Sequence, residues 1–220
     1  MRNVSHFVVT DGRIECLQRT LQSFKENCDY PFSQKFMVND CMDEDLIKHT
    51  KMLADQYGYE LIQHDTKKGF AGVYNTAWAL SKGDYVFNLE DDFLFNEKVD
   101  IDAMIDIIEH NQYLVQVVLK RQAWNEEEKR AGGIIEQWAD LYTEKEMNGI
   151  YWAEHNLFYS TNPSITPKWV IDKGWQICPS SESVMSKMLL VDGFKSCYYG
   201  KKFDAPKVTH IGDIRNGILY

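Results

Sequence analysis

The chain has 220 residues, 44% of them hydrophobic, which suffices for one well-filled core and makes a single domain over 1–220 the expectation. Its 33 acidic against 24 basic residues give a formal net charge of -9, which argues against nucleic acid as a partner because phosphate-backbone binding needs clustered Lys and Arg. Five scattered cysteines without a C-x-x-C pair, a start that turns polar at Asp11, and no run near 18 apolar residues together predict a cytoplasmic chain with neither a disulfide framework nor a membrane span.

In chain order, 6–9 is a short apolar run ending at the turn-prone Thr10-Asp11-Gly12, and Ile14, Leu17, Leu21 and Phe24 then recur at helical spacing. A second strand over 35–38 closes at Asn39-Asp40. Asp43 is placed to cap the next helix, and Gly58 to stop it. A third strand over 59–63 leads through His64-Asp65-Thr66-Lys67-Lys68-Gly69 to a helix over 72–81, with Gly83 suited to a left-handed stop. The run from Asp84 to Phe95 then reads as a buried strand that ends in three carboxylates, Glu90, Asp91 and Asp92.

Beyond the acids, 101–110 reads as a helix and 113–119 as a strand, while 120–149 is dense in charge and reads either as a mobile flap or as a solvated excursion. Tyr151 to Tyr159 is rich in aromatics, with Trp152 expected in the core and Trp152, Glu154 and His155 weighed as an acceptor pocket. Pro163 and Pro167 bracket a turn, Pro167 opens a short helix, and Ser180-Ser181 resembles a cap that puts Glu182 in a first helical turn. A last short strand carries His210.

Strands alternating with helices at this interval predict an α/β fold with a mainly parallel sheet covered by helices on both faces. Ligands of such sheets sit beyond the carboxyl ends of the strands. Thr10-Asp11, Asn39-Asp40, Lys67-Lys68 and the three acids all fall on that rim. Adjacent acids beside apolar residues call for a cation, and an oxygen-rich set suits Mg²⁺ or Mn²⁺ shared with nucleotide phosphates. Gly69 and Gly72 read either as serving the chain turn alone or as letting backbone approach a phosphate closely.

Val8-Val9-Thr10, Val38-Asn39-Asp40, Gly69 to Asn75 and Leu89-Glu90-Asp91-Asp92, in that order, resemble the nucleotide-sugar-dependent glycosyltransferases of the GT-A, Rossmann-like fold. The resemblance is best over 4–95, within a nucleotide-binding half taken as 1–95, and leaves 96–220 as the half that completes the metal site and holds the acceptor. It implies that Asp92 ligates Mn²⁺ (or Mg²⁺) directly in a Glu-Asp-Asp variant of the family's Asp-x-Asp motif, with Asp91 near the ribose and Glu90 outside. It further implies Thr10 and Arg13 beside the nucleotide, Asp40 on a uracil N3–H, His210 as the late metal ligand and Glu182 as the base. Tyr74-Asn75 departs from the family's Arg-Asn, so a cationic contact falls to Lys67 or Lys68. The implied activity is metal-dependent transfer from a UDP-sugar to a hydroxyl of a glycan, lipid or protein, with inversion preferred. A sugar-nucleotide-binding protein, a nucleotide-sugar hydrolase and a sugar-phosphate nucleotidyltransferase stay open as alternatives.

Overall fold

A computed structural model describes residues 2–178 and 180–212. Its first half repeats strand and helix: β1 (Val4–Thr10), α1 (Ile14–Asn27), β2 (Gln34–Asn39), α2 (Glu44–Tyr57), β3 (Glu60–Gln63), α3 (Gly69–Leu80) and β4 (Tyr85–Glu90). The four strands pair in parallel as β3-β2-β1-β4, with Val9 of β1 opposite Glu90 of β4. Every residue of β1 is buried because helices cover both of its faces. Leu17, Leu21 and Phe24 of α1 pack on one face, where Phe24 stacks on Phe87 at 5.7 Å, and Ala71, Tyr74 and Trp78 of α3 pack on the other. Each buried Leu or Phe among them contributes about 1.5 to 3 kcal/mol.

The second half comprises β5 (Phe93–Phe95), α4 (Ile101–His110), β6 (Leu114–Val118), α5 (Glu126–Ala131), α6 (Ile134–Gln137), β7 (Thr143–Met147), β8 (Ile150–His155), β9 (Ser164–Pro167), α7 (Lys168–Ile171), α8 (Ser181–Leu190), β10 (Lys195–Tyr199) and β11 (Val208–His210). Among the described residues the sheet runs β3-β2-β1-β4-β9-β6-β10-β8-β7, and β11 pairs separately with β5. β9 is antiparallel to both neighbours, while β6 and β10 are parallel, so the parallel arrangement resumes beyond one reversed strand. No described helix is long and apolar enough to cross a membrane.

Asp43 caps α2 by accepting from the backbone N–H groups of Asp45 and Leu46, and Gly58 ends that helix in the left-handed region at φ 72°, as the sequence implies. Three local expectations are corrected. Gly83 is no left-handed stop: a Cβ there would lie 2.5 Å from the Ser5 amide nitrogen, so the glycine permits close packing on β1. Ser180 makes no side-chain cap and itself adopts φ 57°. The segment between Pro163 and Pro167 is a buried central strand, possible because Pro167 sits at its end, where the lost N–H is cheapest. The charged stretch 120–149 contains α5, α6 and β7, with Ile134 and Ile135 buried.

Candidate active site

Asp91 and Asp92 form the turn between β4 and β5 at the centre of the sheet's carboxyl edge. The turn is pinned from both sides. Thr20 Oγ1 of α1 donates to the Asp91 carbonyl at 2.9 Å and accepts from the Phe93 N–H at 3.1 Å, while the Ile211 N–H donates to the Asp92 carbonyl at 2.8 Å. Both carboxylates are buried, at 1% and 0% exposure, so their charge must be answered locally.

Gly12, at φ 79° and too close to Cys41 Sγ for any Cβ, turns β1 sharply into α1 and presents Arg13. The guanidinium bridges the pair, bonding Asp91 through one nitrogen and Asp92 Oδ2 at 2.7 Å through another. Thr10 Oγ1 donates to Asp91 Oδ2 at 2.6 Å, and His210 Nε2 lies 3.0 Å from Asp92 Oδ2. Burial pushes the Asp91 carboxyl up against the opposing pull of Arg13, with the Asp92 charge adding to the rise. For Asp92 burial works in the same direction, but the contacts of His210 and Arg13 outweigh it and hold the group below the usual range. The residues expected at the nucleotide and metal, Thr10, Arg13, Asp91, Asp92 and His210, thus form one connected network.

Asp92 Oδ1 is buried and has no hydrogen-bond partner among the described residues. With His210 Nε2 alongside, this gives one carboxylate and one imidazole as donors. Among the described residues no group of three or more His, Cys, Asp or Glu is arranged to enclose an ion. A two-residue set fits Mg²⁺ or Mn²⁺, which retain waters and complete their shells with substrate phosphates rather than with protein cages. Gly212 keeps that corner open, since a Cβ there would fall 2.2 Å from Asp92 Oδ2.

The remaining rim residues divide. Asp40 is buried and caps α3: Oδ1 accepts from the Lys68 N–H and contacts His64 Nδ1 at 2.9 Å, and Oδ2 accepts from the Gly69 N–H at 2.8 Å. Gly69 serves the chain turn at the start of α3. Its N–H is committed to Asp40, its φ is 68°, and a Cβ would meet nothing within 4 Å. Asp11 is exposed and pairs with Lys67 at 2.8 Å, joining the loops after β1 and β3. The Lys68 ammonium has no carboxylate partner among the described residues.

Glu182 stands apart from the acidic pair but on the same side of the rim. Its Oε1 accepts from the Thr161 N–H at 3.0 Å, and the Thr161 carbonyl accepts from Asn88 of β4 at 3.0 Å and from the Tyr74 hydroxyl at 3.5 Å. Tyr74 in turn reaches Glu90 Oε1 at 3.3 Å, so the tyrosine that replaces the expected arginine links the two regions. Trp152 and Glu154 leave the acceptor reading: Trp152 Nε1 donates to Glu154 within the core against α4, and Glu154 also holds Tyr113 and Lys195. His155, the alternate residue of β8, points to the opposite face.

Sequence reasoning missed two supports of His210. Gln122 exchanges a pair of hydrogen bonds with its backbone, at 2.8 Å each, and Trp124 packs on its ring at 4.1 Å. Both lie in the charged stretch, where no spacing signal marks them.

The sequence model of glycosyl transferase family 2 matches residues 5–162. Solved structures of similar fold include the mannosyltransferase PcManGT from Pyrobaculum calidifontis in complex with GDP-Man and Mn²⁺, at 13% identity and TM-score 0.59, covering 90% of this chain and 56% of that one. S. aureus TarS 1-349 gives 13% identity and TM-score 0.66 with coverage of 96% and 60%, and GalNAc-T7 with UDP, GalNAc and Mn²⁺ gives 13% and 0.64 with 96% and 44%. The chain thus spans about half the length of these structures. No curated protein sequence matches it.

Proposed function

The chain belongs to glycosyl transferase family 2, its matched residues 5–162 being well over half its length, and on that premise we propose that it transfers a sugar from UDP-sugar to a hydroxyl acceptor with a divalent ion. The observation that carries this reading is the buried Asp91–Asp92 pair at the carboxyl edge, joined to Thr10, Arg13 and His210, with Asp92 Oδ1 left unpartnered among the described residues. Asp92 and His210 would hold Mn²⁺ or Mg²⁺, which when bound neutralises charge on the departing diphosphate.

In the proposed reaction Arg13 and Lys68 flank the diphosphate, and Asp40 Oδ2 retains a lone pair for a base N–H beyond its bond to Gly69. Glu182 takes the proton of the acceptor hydroxyl as that oxygen bonds to the anomeric carbon. The bond from that carbon to the phosphate oxygen breaks, UDP leaves, and configuration inverts. Thr161 fixes the carboxylate, so orientation supports a base whose place in a first helical turn favours ionisation. The Mn²⁺ and nucleotide in the PcManGT and GalNAc-T7 structures support the choice of cofactor class.

Calorimetric titration of UDP with and without Mn²⁺ tests the reading. The expected result is metal-dependent binding that Asp92→Ala abolishes. Metal-dependent binding left intact in Asp92→Ala would remove Asp92 from the site, and binding of UDP to neither protein would remove the nucleotide.

A further inference from the structure

On the same face of the sheet as α8, the side chains of Tyr142, His155 and Tyr198 pack ring against ring. Centroids are 4.9 Å apart for Tyr142 and His155 and 5.5 Å for His155 and Tyr198. The three are only 1 to 3% exposed, yet Tyr142 Oη, His155 Nε2 and Tyr198 Oη all lack a hydrogen-bond partner among the described residues. His155 Nδ1 accepts from the Leu157 N–H, so a neutral ring carries its proton on Nε2 and buries an unanswered donor. Three such groups in one place are costly to a fold that gains nothing from them.

We propose that this cluster is an acceptor subsite for neutral, hydroxyl-rich sugar, extending the glycosyltransferase reading on which it rests. Its position suits that role. Tyr198 is near the carboxyl end of β10, in register with Val118 of β6, whose end lies on the rim that carries the acids. Glu182 is among the charges felt at the Tyr198 hydroxyl. The chemistry narrows the ligand. Burial pushes His155 down to about 3 and both phenols up, so all three groups are neutral at working pH; Arg121, Glu128 and Glu136 act on the phenols from nearby, but burial itself penalises a phosphate or carboxylate. Sugar hydroxyls both donate and accept, answering two phenols and one imidazole N–H, while ring C–H groups fit aromatic faces. Ile134 and Ile135 of α6 cover the cluster, so access requires that helix to lift. Gly132 and Gly133 before it, at φ 98° and 155°, supply a joint.

The test titrates methyl glucoside, methyl galactoside, methyl mannoside and glucose 6-phosphate into the UDP–Mn²⁺ complex of the whole chain, observing saturation transfer and the His155 Nε2–H resonance. At least one neutral glycoside is expected to bind and move that resonance, with glucose 6-phosphate failing to do so. Tyr198→Phe and Tyr142→Phe should each weaken the glycoside about five- to tenfold, leave UDP affinity unchanged and fold normally, since each removes an unpaired hydroxyl while keeping its ring. Glycoside affinity in both variants equal to the parent's, a silent His155 resonance, or equal binding of the phosphate overturns the subsite. If UDP binding fails while Tyr198-dependent glycoside binding persists, the nucleotide reading falls and the subsite stands; the converse sinks the subsite alone.

Discussion

The rim at β1 and β4 and the cluster on β8 and β10 bury polar groups in opposite ways. At the rim two ionisable acids are answered by Arg13, Thr10 and His210, which among the described residues leaves a single oxygen of the pair, Asp92 Oδ1, without a partner. In the cluster three neutral groups face one another with nothing to bond among the described residues. At the rim one guanidinium answers two carboxylates, so an anionic ligand would enter by exchange of partners, drawing Arg13 from carboxylate towards phosphate. The neutral region has nothing to exchange and takes a ligand by addition. Between them lies Glu182, tied through Thr161 and Tyr74 to β4 and Glu90.

Separating the two regions gives the largest expected effect. Glu182→Gln keeps the shape and the Thr161 contact but cannot accept a proton, so transfer should fall about 10²- to 10⁴-fold while UDP affinity measured by calorimetry stays unchanged. Turnover equal to the parent would reject Glu182 as the base. A loss of UDP affinity would instead show that the regions are not separable.

Breaking the charge balance at the rim comes next. Arg13→Gln leaves Asp91 and Asp92 buried without their guanidinium, a loss that costs about 3 to 5 kcal/mol in comparable buried pairs. Urea denaturation should show that loss, and added Mn²⁺ should restore more stability to Arg13→Gln than to the parent, because the ion then binds acids that have no resident cation. Equal stability of the two proteins, or an equal response to Mn²⁺, would show that Arg13 is not the balancing charge.

The rim was the more legible of the two regions in the sequence, for a physical reason. Its residues end strands, and strand ends are marked by an apolar run that turns polar, as at Thr10, Asp40 and Glu90 to Asp92. Asp43 and Gly58 were legible because a cap and a left-handed stop are local requirements. The reversed strand β9 was not, since Ser164 to Thr166 are placed between β4 and β6 by pairing with residues more than 40 positions away, and the flanking prolines signal only a turn. Gln122 and Trp124 were hidden among charges. The Tyr142–His155–Tyr198 cluster draws on three separate segments whose nearness no spacing reveals, and the capping of α3 by Asp40 was not legible because a cap reaching across 29 positions has no local signature.

The smallest effect sharpens the comparison through two buried histidines, one beneath each region. His6 on β1 donates from Nδ1 to the Phe87 carbonyl at 2.9 Å and accepts at Nε2 from the Tyr59 hydroxyl at 2.8 Å, whereas His155 is the opposite tautomer with its Nε2–H unanswered. Burial lowers both to about 3 in the folded chain, against 6.5 for an ordinary histidine. Between those values the unfolded chain binds a proton that the folded chain refuses, so stability is fully present above about pH 6.5 and declines as pH falls towards 3. Each histidine should contribute a loss of about 2 kcal/mol between pH 6.5 and 5. Denaturant titrations at the two pH values should show roughly half of that combined loss in His155→Phe, and ¹⁵N shifts should assign Nδ1–H to His6 and Nε2–H to His155. A pH slope unchanged in His155→Phe would mean that His155 is already protonated in the fold and therefore has an acceptor. The neutral cluster would then differ from the rim far less than its geometry indicates.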